Sequence, residues 1–257
     1  MKLAPVNPAD RLVAAGLYAP LGGLPDIIGA EGVGVVEAVG AGVERFAPGD
    51  RAIPLTRGNW ATHRLLDAEA LITVPAFLDD AQAAMLRINP ATAARMLARL
   101  ALAPGATLIR NAPRASIARW IGPLARRAGI EVFDEDADGP ADAALDAVAG
   151  AATGALAARL IPGGTILVYG HLSGQPCAIP SRLLTTRNLT VAGFSLRPAE
   201  EADPPGARAA LYAGLAVIAA EAPEPVAAIF PLDEVGRALD AAAARGRTGR
   251  ILLTLDR

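Results

Sequence analysis

Residues 106–138 read ATLIRNAPRASIARWIGPLARRAGIEVFDEDAD. The apolar run TLIR is a strand, the segment ending in LARRAG is a helix, and GIEVF (residues 129–133) is a second strand. A strand, turn, helix and strand of this length form half of a doubly wound domain. There the pyrophosphate of a dinucleotide sits over the helix N-terminus. The turn holds no glycine between Gly105 and Gly122, and Pro123 falls inside the helix, where it removes the bond to the Arg119 carbonyl and should kink it.

Working outward, short apolar runs alternate with helical segments, which predicts a parallel sheet. Gly163-Gly164 turns into TILVYG (165–170), a buried strand, and NLTVAGF (188–194) is another. The stretch 79–102 is helical and broken at Pro90, with Thr92 placed to cap the second piece. Residues 207–222 form a helix, 226–231 a strand, 232–245 a helix opened by Asp233, and 250–255 a last strand. Residues 1–78 are turn-rich, with strands at 33–43 and 51–55, and suggest a small β-barrel-like domain. The expected domains are therefore 1–78 with 225–257, and 79–224.

The chain has 257 residues, 53% hydrophobic and 19% charged, so it is globular rather than disordered. A formal net charge of −2 argues against a nucleic-acid partner, which would favour a clearly basic face. Cys177 is the single cysteine, which rules out an internal disulfide and suits a reducing compartment. MKLAPVNPAD lacks a signal-peptide apolar core, and the longest apolar run, 209–220, is too short for a bilayer. A cytoplasmic protein with no membrane partner is expected. His63, His171 and Cys177 show no metal-ligand spacing, and no G-x-S-x-G occurs, so neither zinc nor a serine nucleophile is expected.

Five ordered motifs carry a resemblance: PVNPAD (5–10), GLYAPLGGLPDIIGAEGVGVVEAVG (16–40), RGNW (57–60), INPATAARML (88–97) and VYGHLSGQP (168–176). Together they resemble the zinc-independent medium-chain dehydrogenases/reductases, on the 2-enoyl thioester reductase and quinone oxidoreductase side. The fold this implies is α/β: a doubly wound, Rossmann-like parallel sheet plus a GroES-like β-barrel domain. The activity it implies is reduction of an α,β-unsaturated carbonyl, such as a 2-enoyl thioester, by hydride from NADP or NAD in its reduced form. It implies a small acyl or enone substrate and a homodimer paired through the NLTVAGF strand. By the same resemblance Tyr18 is the catalytic tyrosine, orienting the carbonyl and supplying a proton. A phenolic O–H suits that task, because hydride addition puts charge on the carbonyl oxygen. Trp60 lines the substrate pocket or is a packed core indole. Asn89 and Thr92 face the nicotinamide or cap a helix, and the two roles are compatible. Arg114, Ala115, Ser116 and Ile117 cradle the pyrophosphate. Tyr169, Gly170, His171, Leu172, Phe194, Ser195 and Leu196 line the cofactor and acyl channel. Arg250 is a basic residue near the cofactor or a solvated arginine at the start of an edge strand.

Three features depart from the family pattern. The chain starts at the PVNPAD segment, without the N-terminal hairpin of the family. Ala118 stands where a glycine is usual in the phosphate turn. After residue 133 an acidic run, 134–138, leads through Gly139-Pro140 almost directly to ALDAV (144–148), so the sheet is shortened where adenosine would bind. Asp134, Glu135 and Asp136 would repel a 2′-phosphate and accept from a ribose hydroxyl. Two readings stay open: a hydride-transferring reductase, or a scaffold that has lost redox chemistry and serves as a lyase, an isomerase or a binding protein for acyl groups.

Overall fold

The computed structural model describes residues 1–18, 23, 26–204, 206–244 and 246–255. In chain order the elements are β1 (Leu3–Pro5), α1 (Pro8–Ala14), β2 (Gly34–Val35), β3 (Arg51–Pro54), β4 (Leu71–Thr73), α2 (Asp80–Ala84) and α3 (Ile88–Leu100). Then come β5 (Thr107–Arg110), α4 (Ala118–Arg127), β6 (Glu131–Asp134), β7 (Ala141–Asp146), α5 (Ala151–Arg159) and β8 (Leu160–Val168). They are followed by α6 (Ser181–Arg187), β9 (Thr190–Gly193), α7 (Leu196–Glu201), α8 (Ala207–Glu221), β10 (Val226–Pro231), α9 (Val235–Ala243) and β11 (Arg250–Thr254). Packing divides the chain into two units, Met1–Ile88 with Pro204–Arg257, and Asn89–Asp203.

In the first unit β11 is the middle strand of a sheet ordered β1-β11-β10. β1 lies antiparallel to it and β10 parallel, with α9 as the crossover. Ala4, Val6, Trp60, Ala238, Ile251, Leu253 and Leu255 form its core. A second sheet, β2-β3-β4, is antiparallel, and an isolated bridge between Leu3 and Val33 joins the two. Of the strand expected over 33–43 only Gly34–Val35 pairs as a strand, before the chain reaches the turn with Gly42 at φ +81°.

The helical stretch expected over 79–102 breaks at Met85–Arg87, not at Pro90. Pro90 sits in the first turn of α3, where its missing N–H costs nothing, so Thr92 lies inside the helix rather than at its cap. Asp79 caps α2 by accepting from the Gln82 N–H at 2.8 Å. Gln82 in turn exchanges two bonds with the Glu224 backbone, at 2.9 and 2.8 Å. These contacts hold α2 and α8 with the first unit. The unit boundaries therefore fall after residues 88 and 203, where sequence alone suggested 78 and 224. The last long helix, expected over 232–245, is a short 3-10 turn followed by α9, and it ends at Ala243. Arg245, like residues 19–22, 24 and 25 of the Gly16–Gly40 motif, lies outside the described residues.

The second unit is a five-stranded parallel sheet, ordered β6-β5-β7-β8-β9. Leu108, Ile109 and the β7 residues Ala143, Ala144 and Leu145 are fully buried, as central parallel strands covered on both faces must be. Leu156, Ala157 and Leu183 bring α5 and α6 onto one face with Ile109, Ala144 and Ile166. The right-handed β5–α4–β6 crossover runs in the opposite direction and so puts α4 on the other face. There α4 buries Ala118, Trp120, Ile121 and Ala125, and the helix continues through Pro123. β8 begins earlier than expected: Gly163-Gly164 is an irregularity inside the strand, where the register against β7 jumps between Ala141 and Ala143. A Cβ on Gly164 would meet the Leu160 Cβ at 2.9 Å and the Asp142 carbonyl at 3.0 Å.

β6 and β7 are both parallel to β5 and flank it, yet only residues 135–140 connect them. Such connections ordinarily take a dozen residues or more. The short one suffices because β6 has four residues. The return path is about 13 Å along the strands and about 10 Å across, within the reach of an extended seven-step chain, about 24 Å. Arg159, in the last turn of α5, straps it: Nη1 donates to the Glu135 carbonyl at 3.1 Å, and Nε and Nη2 donate to the Gly139 carbonyl at 3.1 and 2.8 Å.

Candidate functional site

The turn from β5 into α4 is held by a buried side-chain network. Asn111 is 1% exposed; its Nδ2 donates to Asp146 Oδ1 at 2.6 Å, and its Oδ1 accepts from the Ala147 N–H at 2.8 Å. Asp146, at the end of β7, also accepts from the Val148 and Ala149 N–H groups, each at 2.9 Å, and from Thr153 Oγ at 2.6 Å. This places the first turn of α5 against the entry of α4. Ala112 (φ +54°) and Ala149 (φ +63°) both adopt the left-handed region that favours glycine. The bends expected of glycine are thus present without it, and the network around Asp146 keeps them. Asn111, Asp146 and Thr153 were missed from sequence. The available signal was an Asx residue directly at the end of each of two buried strands, where orphan N–H groups need an acceptor.

Beyond Ala112 the turn bonds within itself: Ala115 N–H donates to the Ala112 carbonyl, and Ala118 N–H to that of Ala115. The N–H groups of Arg114, Ser116 and Ile117 have no acceptor among the described residues. Arg114 is exposed, Ser116 half-buried and Ile117 buried. Free N–H groups at the start of a ten-residue helix, beside an arginine, suit the oxygens of a pyrophosphate. Ala118, in the usual glycine position, is 5% exposed and fits without displacing the helix.

The C-terminal strand ends lie side by side in sheet order. Tyr169 N–H donates to the Asp146 carbonyl at 2.9 Å, Leu172 N–H to that of Ala147 at 3.1 Å, and Phe194 N–H to that of Val168 at 2.8 Å. Gly170 packs so closely over Ala147 that a Cβ would lie 2.5 Å from its carbonyl oxygen. Tyr169, Gly170 and Phe194 therefore belong to one rim, while His171, Leu172 and Ser195 are exposed. Burial pushes the Tyr169 phenol up to about 12, with Arg110 opposing and Asp146 adding to the shift. Asn89 and Thr92, both half-buried, lie one turn apart on α3. Further along that helix Arg95 and Arg99 line a cavity of about 790 Å³, together with Val168, Phe194, Ser195 and Pro198. Arg95 is paired with Asp203, and Arg99 Nη1 donates to the Gly193 carbonyl at 3.1 Å.

At the far side of the same turn lies the acidic run. Arg110 Nε donates to Asp134 Oδ1 at 2.8 Å, and its Nη1 donates to the Ala118 carbonyl at 2.5 Å. Glu135 Oε1 accepts weakly from the Ala112 N–H at 3.4 Å.

The remaining expected residues lie in the first unit. Trp60 is 9% exposed; its Nε1 donates to the Pro5 carbonyl at 3.3 Å, and its ring is part of the core. Arg250 is no solvated edge residue: β11 is a central strand, and the guanidinium is 3% exposed. Its Nη2 donates to Asn7 Oδ1 at 2.6 Å, and the Glu31 and Glu224 carboxylates lie 3.8 and 3.6 Å away. Tyr18 is half-buried. Among the described residues no cluster of three or more His, Cys, Asp or Glu side chains could hold a metal ion, and no helix is long and apolar enough to cross a membrane.

Residues 1–76 match the alcohol dehydrogenase GroES-like domain family. The mitochondrial enoyl-[acyl-carrier-protein] reductase of Xenopus tropicalis is 32% identical over 76% of this chain and 67% of its own length. The chain belongs to the medium-chain dehydrogenase/reductase family. Within that family the enzyme of the same name from Rattus norvegicus is 31% identical, and the chain spans 63% of its length. Among solved structures, a Bacillus thuringiensis protein provisionally named an NADPH:quinone reductase superposes with a TM-score of 0.87, at 26% identity, over 99% of this chain and 88% of that one. The mitochondrial 2-enoyl thioester reductase Etr1p/Etr2p heterodimer of Candida tropicalis does so with a TM-score of 0.81, at 22% identity, over 98% and 89%, a likeness of fold. The parallel sheet and the GroES-like domain are thus those of medium-chain dehydrogenases/reductases.

Proposed function

We propose that this chain is a nicotinamide-dependent reductase of an α,β-unsaturated carbonyl, with a 2-enoyl thioester as its substrate class, working as a homodimer paired through β9. The observation that supports it most is the entry of α4, with its three N–H groups open to an anion and Arg114 beside them, in a relative of enoyl-[acyl-carrier-protein] reductases. Arg114, Ala115, Ser116 and Ile117 would hold the pyrophosphate. Asn89, Thr92 and the rim from Tyr169 to Leu172, with Phe194 to Leu196, would hold the nicotinamide end, which supplies a hydride when bound.

The chain's own chemistry is polar. Tyr18 presents its phenolic O–H to the substrate's carbonyl oxygen, where negative charge develops, and gives up the proton that completes the saturated product. Ser195, exposed and among the residues that line the α3–α7 cavity, would leave room there for an acyl chain. With purified protein and a short enoyl-CoA, oxidation of the reduced cofactor is expected. Tyr18→Phe should lower kcat by roughly 100-fold and leave cofactor affinity, read by calorimetry, unchanged. Failure of both NADH and NADPH to bind would sink the proposal.

A second reading rests on one observation, the six-residue connection in place of the sheet's outer half. On that reading the scaffold has lost hydride chemistry and works on acyl groups as a lyase, an isomerase or a binding protein. Recovery of a nicotinamide dinucleotide with the purified protein would count against it.

A further inference from the structure

We propose that the acyl group of this chain's substrate ends in a free carboxylate, seated in the cavity between α3 and α7 and selected by Arg99; the proposal rests on the reductase reading above. Arg95 and Arg99 stand four residues apart on α3, so they share one face of the helix, and both line the cavity. Arg95 is 9% exposed and paired with Asp203, which offsets its charge. Its buried Nε nevertheless has no acceptor among the described residues. Arg99 is exposed, and its Nη1 donates to the Gly193 carbonyl at 3.1 Å. Among the described residues it has no carboxylate partner. A guanidinium carries several further N–H donors, so Arg99 keeps donors for a ligand.

The walls identify the ligand. Val168, Phe194 and Pro198 are apolar, so a group entering between them sheds much of its water. A strongly hydrated, doubly charged phosphate would meet only one uncompensated cation there, that of Arg99. A carboxylate brings one negative charge to that one positive charge, and its two oxygens match the planar fork of a guanidinium. An oxygen in the cavity would also relieve the cost of leaving the buried Arg95 Nε unbonded. The apolar walls suit the methylenes behind the carboxylate. Phe194 and Ser195 line the cavity and belong to the rim assigned above to the nicotinamide end, so an acyl chain anchored at Arg99 runs toward its reacting carbons. An acyl chain that ends in a methyl group would leave both guanidiniums without this partner.

The test compares two thioesters of equal chain length, trans-2-hexenoyl-CoA and trans-2-hexenedioyl-CoA, which differ in a terminal methyl or carboxylate. Each is offered to the whole chain with NADH and with NADPH. The carboxylate substrate is expected to show a kcat/KM about tenfold higher, the worth of one charge-assisted bond. Arg99→Gln should bring that ratio to within about twofold of one, whereas Arg99→Lys, which keeps the charge without the fork, should hold part of it. Circular dichroism checks the fold of each variant. Equal kcat/KM values, or a preference for the methyl end, overturn the proposal alone. A carboxylate preference that Arg99→Gln leaves intact overturns the assignment to Arg99. Reduction of neither thioester with either cofactor overturns the proposal together with the reading on which it rests.

Discussion

Asp10 is a carboxylate that the fold prefers to keep protonated. It lies fully buried in the first turn of α1, where Oδ2 accepts from the Asn7 N–H at 3.0 Å and Oδ1 has no partner. Burial pushes its pKa from 3.8 up to about 6, against the Asn7 bonds and the charge of Arg57. Neighbouring Glu31, buried beside Arg250 and bonded by Asn7 and by the Ile88 N–H, is pushed in the same direction by burial. Because the folded pKa lies above the unfolded one, the stability gained from proton binding is complete below about pH 4. It is lost as the pH rises through about 6. The amount for Asp10 is on the order of 3 kcal/mol. Urea midpoints measured from pH 4 to pH 7 should therefore fall with rising pH, and Asp10→Asn should flatten that slope. An unchanged slope in the variant would show that Asp10 does not titrate there. The Asn7 and Asp10 pair of the PVNPAD motif thus serves the first unit's interior, a role that motif matching alone does not reveal.

The connection from β6 to β7 is where this sheet differs most from a full doubly wound one, and a single side chain spans it. Arg159 makes three bonds to its carbonyls, all near the surface, so their joint worth is about 1 kcal/mol. Arg159→Ala should lower stability by about that much and raise amide exchange in residues 135–139, leaving the β5, β7 and β8 amides protected. Equal protection of the connection in the variant would mean that it holds its path unaided. Its brevity was legible in the sequence, because GIEVF is followed so closely by the acidic run and ALDAV. Buried parallel strands such as TLIR were legible too, since continuous apolar runs have few other uses. The strap was not legible, because Arg159 reaches backbone carbonyls, and backbone acceptors leave no residue signature. Nor was the irregularity at Gly163-Gly164, where the same dipeptide reads equally well as a turn. Of the site, the phosphate turn could be located by its position between strand and helix, while Asn111 and Asp146 acquire meaning only once β5 and β7 are neighbours. For Arg250 the sequence left a place near the cofactor and a solvated strand end both open, because its burial depends on Asn7, 243 residues away in sequence.

At the scale of the molecule, the two edges of the five-stranded sheet are unlike. β6 carries Glu131 and Asp134 and leads into the acidic connection, the kind of charge that keeps an edge from pairing. β9, at the other edge, reads Thr190-Val191-Ala192-Gly193 with no charge, and Val191 is 38% exposed. Apart from the Gly193 carbonyl, which accepts from Arg99 Nη1, its outer edge offers backbone groups to a second strand. A two-fold axis would let β9 of one copy lie antiparallel to β9 of another and extend five strands to ten, a closed, self-complementary arrangement. A net charge of −2 offers little long-range repulsion between copies. Sedimentation at micromolar concentration should therefore show a dimer. Placing lysine at both Thr190 and Val191 should shift it toward monomer, because two such edges would then face each other with four added charges. The Arg110–Asp134 edge predicts the converse control, since Glu131→Gln leaves β9 untouched and should leave the dimer intact. A monomeric native chain, or a dimer indifferent to the lysines, would rule out pairing through β9.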